Sequence, residues 1–152
     1  YNHTTVLTVS QTDALTTGDN TALCDGYLIY TLPAGEIVIN SAYMSMGMIA
    51  TTEQAADIPD TGLGTTMGSA AQATLNLDDA ACENILTGQG SQIIAADGTA
   101  VVKTVGDQVL VIATAGDHTV YFNVGDTWAD DTSGDLTADI AGTIVLNWSF
   151  MA

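Results

Sequence analysis

Few residues in this sequence have the types and spacing of chemistry, and the best group is acidic. Asp130-Asp131-Thr132-Ser133-Gly134-Asp135 places three carboxylates on a short stretch, with a glycine that allows a tight turn. Hard oxygen ligands of this kind suit Ca²⁺. Asp130, Asp131 and Asp135 are therefore the candidate calcium ligands, and no other cofactor is implied. The alternating acid spacing and closing Glu of an EF-hand are missing, so a solvated acidic turn is the alternative.

Asp78-Asp79 and Asp130-Asp131 could supply the acid and base of glycoside hydrolysis. Adjacent residues on a strand point to opposite faces, so neither pair is itself a dyad. The chain has 2 Trp, 5 Tyr and 2 Phe, which leaves few aromatics for sugar platforms. His118 follows Asp117 and could act as a base, but a triad also needs a nucleophile and an oxyanion hole. The simpler expectation is a histidine at the start of a strand, with His3 in a flexible end. No GxSxG or HExxH motif occurs. Gly62-Leu63-Gly64-Thr65-Thr66-Met67-Gly68 is one residue off the dinucleotide-loop spacing and has no Walker lysine. A structural loop is expected there. Cys24 and Cys82 form no CxxC pair, and two cysteines do not make a metal site. They are either bridged, a gain of roughly 4 kcal/mol by chain entropy, or two buried thiols. The expectation is that the chain is not an enzyme.

The elements that would position these residues read as strands. Apolar residues alternate more often than they recur at helical spacing. Thr4–Ser10 reads as a first strand or an arm, and Gln11–Ala22 as a polar stretch with a Gly-Asp-Asn turn. Gly26–Leu32 is a strand, followed by the Pro33-Ala34-Gly35 turn. Glu36–Ile49 is one long strand or two, with Met44, Met46 and Met48 on one face. That methionine stripe is expected in the core, the alternative being an adaptable contact surface. Thr51–Gly68 reads as a long loop. Thr99–Val105 and Gln108–Ala113 are expected to form a hairpin through Gly106-Asp107. His118–Val124 is a strand, and Asp139–Met151 is the last, with Ile144, Leu146, Trp148 and Phe150 on one buried face. These readings predict an all-β domain, a sandwich or jelly roll of about eight to ten short antiparallel strands. Residues 1–152 form one β domain, and 1–25 are a candidate extended N-terminal arm.

Charge excludes whole classes of function. One basic residue, Lys103, stands against 18 acidic ones, fifteen of them Asp, for a formal net charge of −17 on 152 residues. Nucleic-acid binding needs Lys and Arg to neutralise phosphates, so no nucleic-acid partner is expected. Attraction to anionic membranes needs the same residues. No run of eighteen apolar residues occurs, so no membrane helix is expected. The start shows no basic segment leading into an apolar one, so no signal peptide is expected. Apolar residues make up 47 % and charged ones only 12 %. The polar surface must therefore be largely Thr, Ser, Asn and Gln. That composition fits an extracellular or particle-surface protein better than a Glu-rich, salt-adapted one. Strand edges are usually blunted with Lys or Pro, and this chain has one Lys and two Pro. An oligomer is expected, held by apolar or hydroxyl-rich contacts and strengthened by salt.

Five segments taken in order carry a family resemblance. They are Tyr30-Thr-Leu-Pro-Ala-Gly-Glu-Ile-Val-Ile39 with Ser41-Ala-Tyr-Met44; Ile58-Pro-Asp-Thr-Gly-Leu-Gly-Thr65; Glu83-Asn-Ile-Leu-Thr-Gly88; Asp117-His-Thr-Val-Tyr-Phe-Asn-Val124 running to Trp128; and Gly142-Thr-Ile-Val-Leu-Asn-Trp148. Over residues 27–150 the chain resembles the small β-rich head proteins of marine tailed bacteriophages, of the decoration or cement type. The resemblance implies a non-enzymatic virion protein on the outer surface of a capsid. Its partner would be the major capsid protein, and its own state an oligomer, plausibly a trimer. The resemblance brings no catalytic residues and does not reach the first 25. A subunit of an extracellular surface filament or S-layer, donating its first strand to a neighbour, is the alternative.

Overall fold

A computed structural model of the chain describes residues 1–17, 24–50, 60–68, 81–86, 101–106, 110–112, 118–125 and 136–151. Among these residues there are strands and turns and no helix. The strands are β1 (Asn2–Thr17), β2 (Cys24–Leu32), β3 (Ile37–Ala50), β4 (Asp60–Gly64), β5 (Val101–Gly106), β6 (Leu110–Ile112), β7 (His118–Gly125) and β8 (Leu136–Phe150). They build two antiparallel sheets. One has the order β1-β8-β3-β5, with β6 also on β3, and the other the order β2-β7-β4. The protein is all-β, as the alternation predicts.

Both sheets feed one hydrophobic cluster. Ile37, Ile39, Met44, Met46 and Met48 of β3 and Ile140, Ile144, Leu146 and Trp148 of β8 enter it from the larger sheet. Leu32, Leu63, Val120, Phe122 and Val124 enter from the smaller. Burial alternates along β8 as period-two patterning requires. The methionine stripe is core, each residue at most 1 % exposed.

Several expectations are corrected. Three strands are not short: β1, β3 and β8 run 16, 14 and 15 residues. Register shifts between Gln11 and Leu15 and between Ile39 and Ser41 are absorbed within the strands, so β1 continues beyond Ser10 and β3 is one strand rather than two. The polar stretch after Gln11 therefore stays in the sheet as far as Thr17, and the candidate arm contains a strand paired to β8 of the same chain. Asp60–Gly64 lies in the expected loop but pairs with β7.

The expected Gly106-Asp107 hairpin does not form. β5 and β6 both pair with β3, antiparallel to it and at the same register offset, Met48↔Val101 to Tyr43↔Gly106 and Ile39↔Leu110 to Ile37↔Ile112. They are two collinear pieces of one line, where a hairpin would have turned β6 back along β5. Phe150 is 44 % exposed rather than buried. It lies at the end of its strand, edge-on to Trp148 at 5.4 Å and beside Gly35, whose positive φ of 141° turns the chain between β2 and β3. His3 is not in a loose end: its ring stacks on Trp148 at 4.3 Å.

Candidate functional site: an uncharged sheet face

Asp130, Asp131, Asp135, Asp78, Asp79 and Asp117 lie outside the described residues. Among the described residues no group of three His, Cys, Asp or Glu side chains is placed to hold a metal ion. His118 opens β7, nearly buried, with Nε2 2.8 Å from the carbonyl oxygen of Gly35. That contact ties β7 to the β2–β3 turn, a structural role. Cys24 and Cys82 are buried thiols that neighbour each other in a small cluster of their own.

The glycine-rich segment has a packing explanation. Gly62 and Gly64 sit on β4, where the 81–86 segment crosses closely. A Cβ on Gly64 would overlap the backbone of Cys82, and one on Gly62 would crowd Glu83 and Leu86. The crossing is held by Leu63 and Leu86, which pair as a β-bridge, and by Thr65 and Thr66, whose N–H groups donate to the Ala81 carbonyl at 3.0 and 3.1 Å. Asn123, fully buried on β7, locks this corner. Its Nδ2 donates to the carbonyls of Thr66 (2.9 Å) and Cys82 (2.6 Å), and its Oδ1 accepts from the Gly68 N–H (2.8 Å). Asn84 adds a second clamp, its Oδ1 accepting from the Thr65 N–H and its Nδ2 donating to Thr65 Oγ1. The corner is a structural one, and all three hydrogen bonds of Asn123 go to backbone.

The candidate surface is the outer face of the larger sheet. The inward residues of β8 and β3 are buried, so their neighbours point away from the core. Register joins these neighbours into rows across three strands. Val6, Val145 and Tyr43 form the middle row. Thr4, Asn147 and Ser41 lie on one side of it, and Thr8, Thr143 and Ser45 on the other. Asn2, Ser149 and Val38 and then Ser10, Ala141 and Gly47 extend the pattern to five rows. None of these fifteen residues is charged, in a chain of net charge −17. The first acid on this face is Asp139, opposite Ile49.

The polar groups of the face are partly satisfied within it. Thr4 Oγ1 donates to Asn147 Oδ1 at 2.8 Å, and Asn147 Nδ2 donates to Ser41 Oγ at 2.9 Å, a lateral chain across β1, β8 and β3. Asn40 Nδ2 donates to Ser149 Oγ at 3.3 Å. Groups already bonded to each other lose less when water is removed than groups bonded only to water. Val6 is 62 % and Tyr43 45 % exposed at the centre of this network. The face is thus neutral, hydroxyl-rich and apolar in the middle. Its one sequence signal was the low share of charged residues; which residues would share it depended on register. Comparison of the chain with family models, with curated proteins and with solved structures finds no match in any of the three.

Proposed function

We propose that this chain is a structural virion protein that decorates and stabilises the capsid lattice of a tailed bacteriophage from the outer surface. Its partner is the major capsid protein, and the domain is read as a β-sandwich, two antiparallel sheets over one shared core. The observation that carries the proposal is the uncharged outer face on a strongly acidic chain. A protein carrying −17 is repelled by acidic neighbours over roughly a Debye length, about 10 Å at 0.1 M salt. Contact through a face that adds no charge keeps that repulsion at the rims. The acidic remainder keeps decorated particles apart in suspension. The family resemblance over residues 27–150 supports the same reading, and the proposal gives the chain no catalytic role.

A filament built by donation of the first strand finds less support. β1 already pairs with β8 of its own chain from Asn2 to Thr17, and donation would first have to break that ladder.

The test is binding to undecorated capsids over a salt series, read by co-sedimentation and by electron microscopy of the particles. Binding that strengthens from low to high salt is expected, with density on the outer surface. Tyr43→Glu places a charge in the centre of the face and is expected to abolish binding while leaving the circular dichroism unchanged. A wild-type protein that ignores capsids at every salt concentration overturns the proposal.

A further inference from the structure

β1 is the terminal strand of the larger sheet, and among the described residues only β8 pairs with it. In an antiparallel ladder alternate residues direct both their N–H and C=O to one side. Half of the β1 residues therefore present their backbone groups to the side away from β8, where no described strand pairs with them. Such an edge is a template for another strand, and proteins usually blunt it with Lys, Pro, inward charge or a bulge. From Asn2 to Gln11 the register with β8 is unbroken, and the segment holds no Lys, Pro, Asp, Glu or Gly. Thr4, Thr5, Val6, Thr8 and Val9 are β-branched residues that favour extended backbone. The bulge and its acid come only beyond it, with Asp13 between Gln11 and Leu15.

We propose that this edge is a homodimer interface, in which Asn2–Gln11 of two copies pair antiparallel about a two-fold axis and join two sheets into one. Backbone pairing demands a strand as partner, and an antiparallel edge is complementary to itself under a two-fold. Charge selects where two copies can meet. Each carries −17, and this ten-residue edge brings no carboxylate into the contact. Salt screens the remaining repulsion, so the dimer tightens as ionic strength rises. The inference stands apart from the capsid reading, and a two-fold pair differs from the trimer that the family resemblance implies.

The experiment uses the full chain without capsids. Sedimentation velocity over protein concentration and salt is expected to show a monomer–dimer equilibrium that shifts to dimer with salt. Hydrogen exchange is expected to show protection of alternate amides within Asn2–Gln11 that grows with protein concentration. Val6→Glu sets like charges near the two-fold at an exposed position and is expected to weaken the dimer about tenfold or more, with unchanged circular dichroism. Tyr43→Glu, two strands away from the edge, is expected to leave the dimer intact. A monomer at every salt, a trimer, a Val6→Glu protein that dimerises as well as wild type, or loss of the dimer in Tyr43→Glu overturns the proposal. Exchange protection independent of concentration does so too. Capsid binding by a chain that stays monomeric would sink this inference and leave the function proposal standing.

Discussion

Asn123 ties three separate backbone groups together through one side chain. It is fully buried and makes three hydrogen bonds to backbone, to Gly68 N–H and to the Thr66 and Cys82 carbonyls. Asn123→Ala removes all three and leaves those groups without this partner. A buried group stripped of its partner costs about 1–3 kcal/mol, with carbonyls at the lower end because each has a second lone pair. The expected loss is about 3–5 kcal/mol, a large part of the roughly 5–15 kcal/mol that holds a domain folded. Urea denaturation at fixed ionic strength reads it as a lower midpoint at unchanged slope. A second substitution makes the reasoning sharper. A Cβ on Gly26 would overlap Asn123 Oδ1, so Gly26→Ala is destabilising in the wild type. In the Asn123→Ala background that overlap is gone, and the cost of Gly26→Ala should fall by about 1 kcal/mol or more, a coupling typical of residues in contact. A loss below about 1 kcal/mol for Asn123→Ala, or strict additivity of the pair, would refute the account of this corner.

Trp148→Ala is expected to cost about 3–5 kcal/mol, as large-to-small core changes do, since the ring is 4 % exposed, stacks on His3 and donates from Nε1 to Thr5 Oγ1 at 3.0 Å. Phe150→Ala, at a half-exposed strand end, should cost only about 1–2 kcal/mol in the same denaturation series, and equal losses would contradict the burial difference. Binding to duplex DNA should be undetectable by fluorescence anisotropy at micromolar protein and physiological salt, because one Lys cannot offset 18 acids; measurable affinity would count against the charge argument.

Local pattern carried the fold class and most of the strands, and what it missed depended on distant partners. Alternation along β8 and the methionine stripe of β3 identifies the core directly, because a period of two on a half-buried sheet leaves its mark in composition. Asp60–Gly64 reads as loop since Gly and Asp disfavour strands, yet β7 recruits it and the 81–86 segment needs the room its glycines leave. Gly106-Asp107 has the composition of a hairpin turn, but β3 offers its flank to both sides of it in one register. His3 and Asn123 were missed for the same reason. The partners that define them, Trp148 and the backbone of residues 66, 68 and 82, are remote in sequence. The uncharged face was half legible: composition says that charge is scarce, and only register says where it is absent.

The use of Asp rather than Glu or Lys as the surface charge links these observations. Asp is poorly suited to strand interiors and well suited to turns, where its short side chain bonds to nearby backbone. A chain that draws its charge from fifteen Asp and three Glu therefore tends to concentrate that charge at strand ends and connections. Most acids of the described strands follow this rule, Asp139 inside β8 being the exception. Asp60 opens β4, Asp25 is the second residue of β2, its Oδ1 accepting from the Gly26 N–H at 2.7 Å, and Asp13 sits at the β1 bulge. Glu36 stands just outside β3. Thr, Ser, Asn and Val are left to fill the solvent faces of the strands. Neutral sheet faces inside an acidic molecule are thus a direct consequence of one compositional choice. A Lys- and Glu-rich surface of the same solubility would have put both signs on the strands, and every contact would then have had to match charges across it. In the proposed contacts only shape and hydroxyl groups need match, and the net charge of −17 is expected to oppose association until salt screens it.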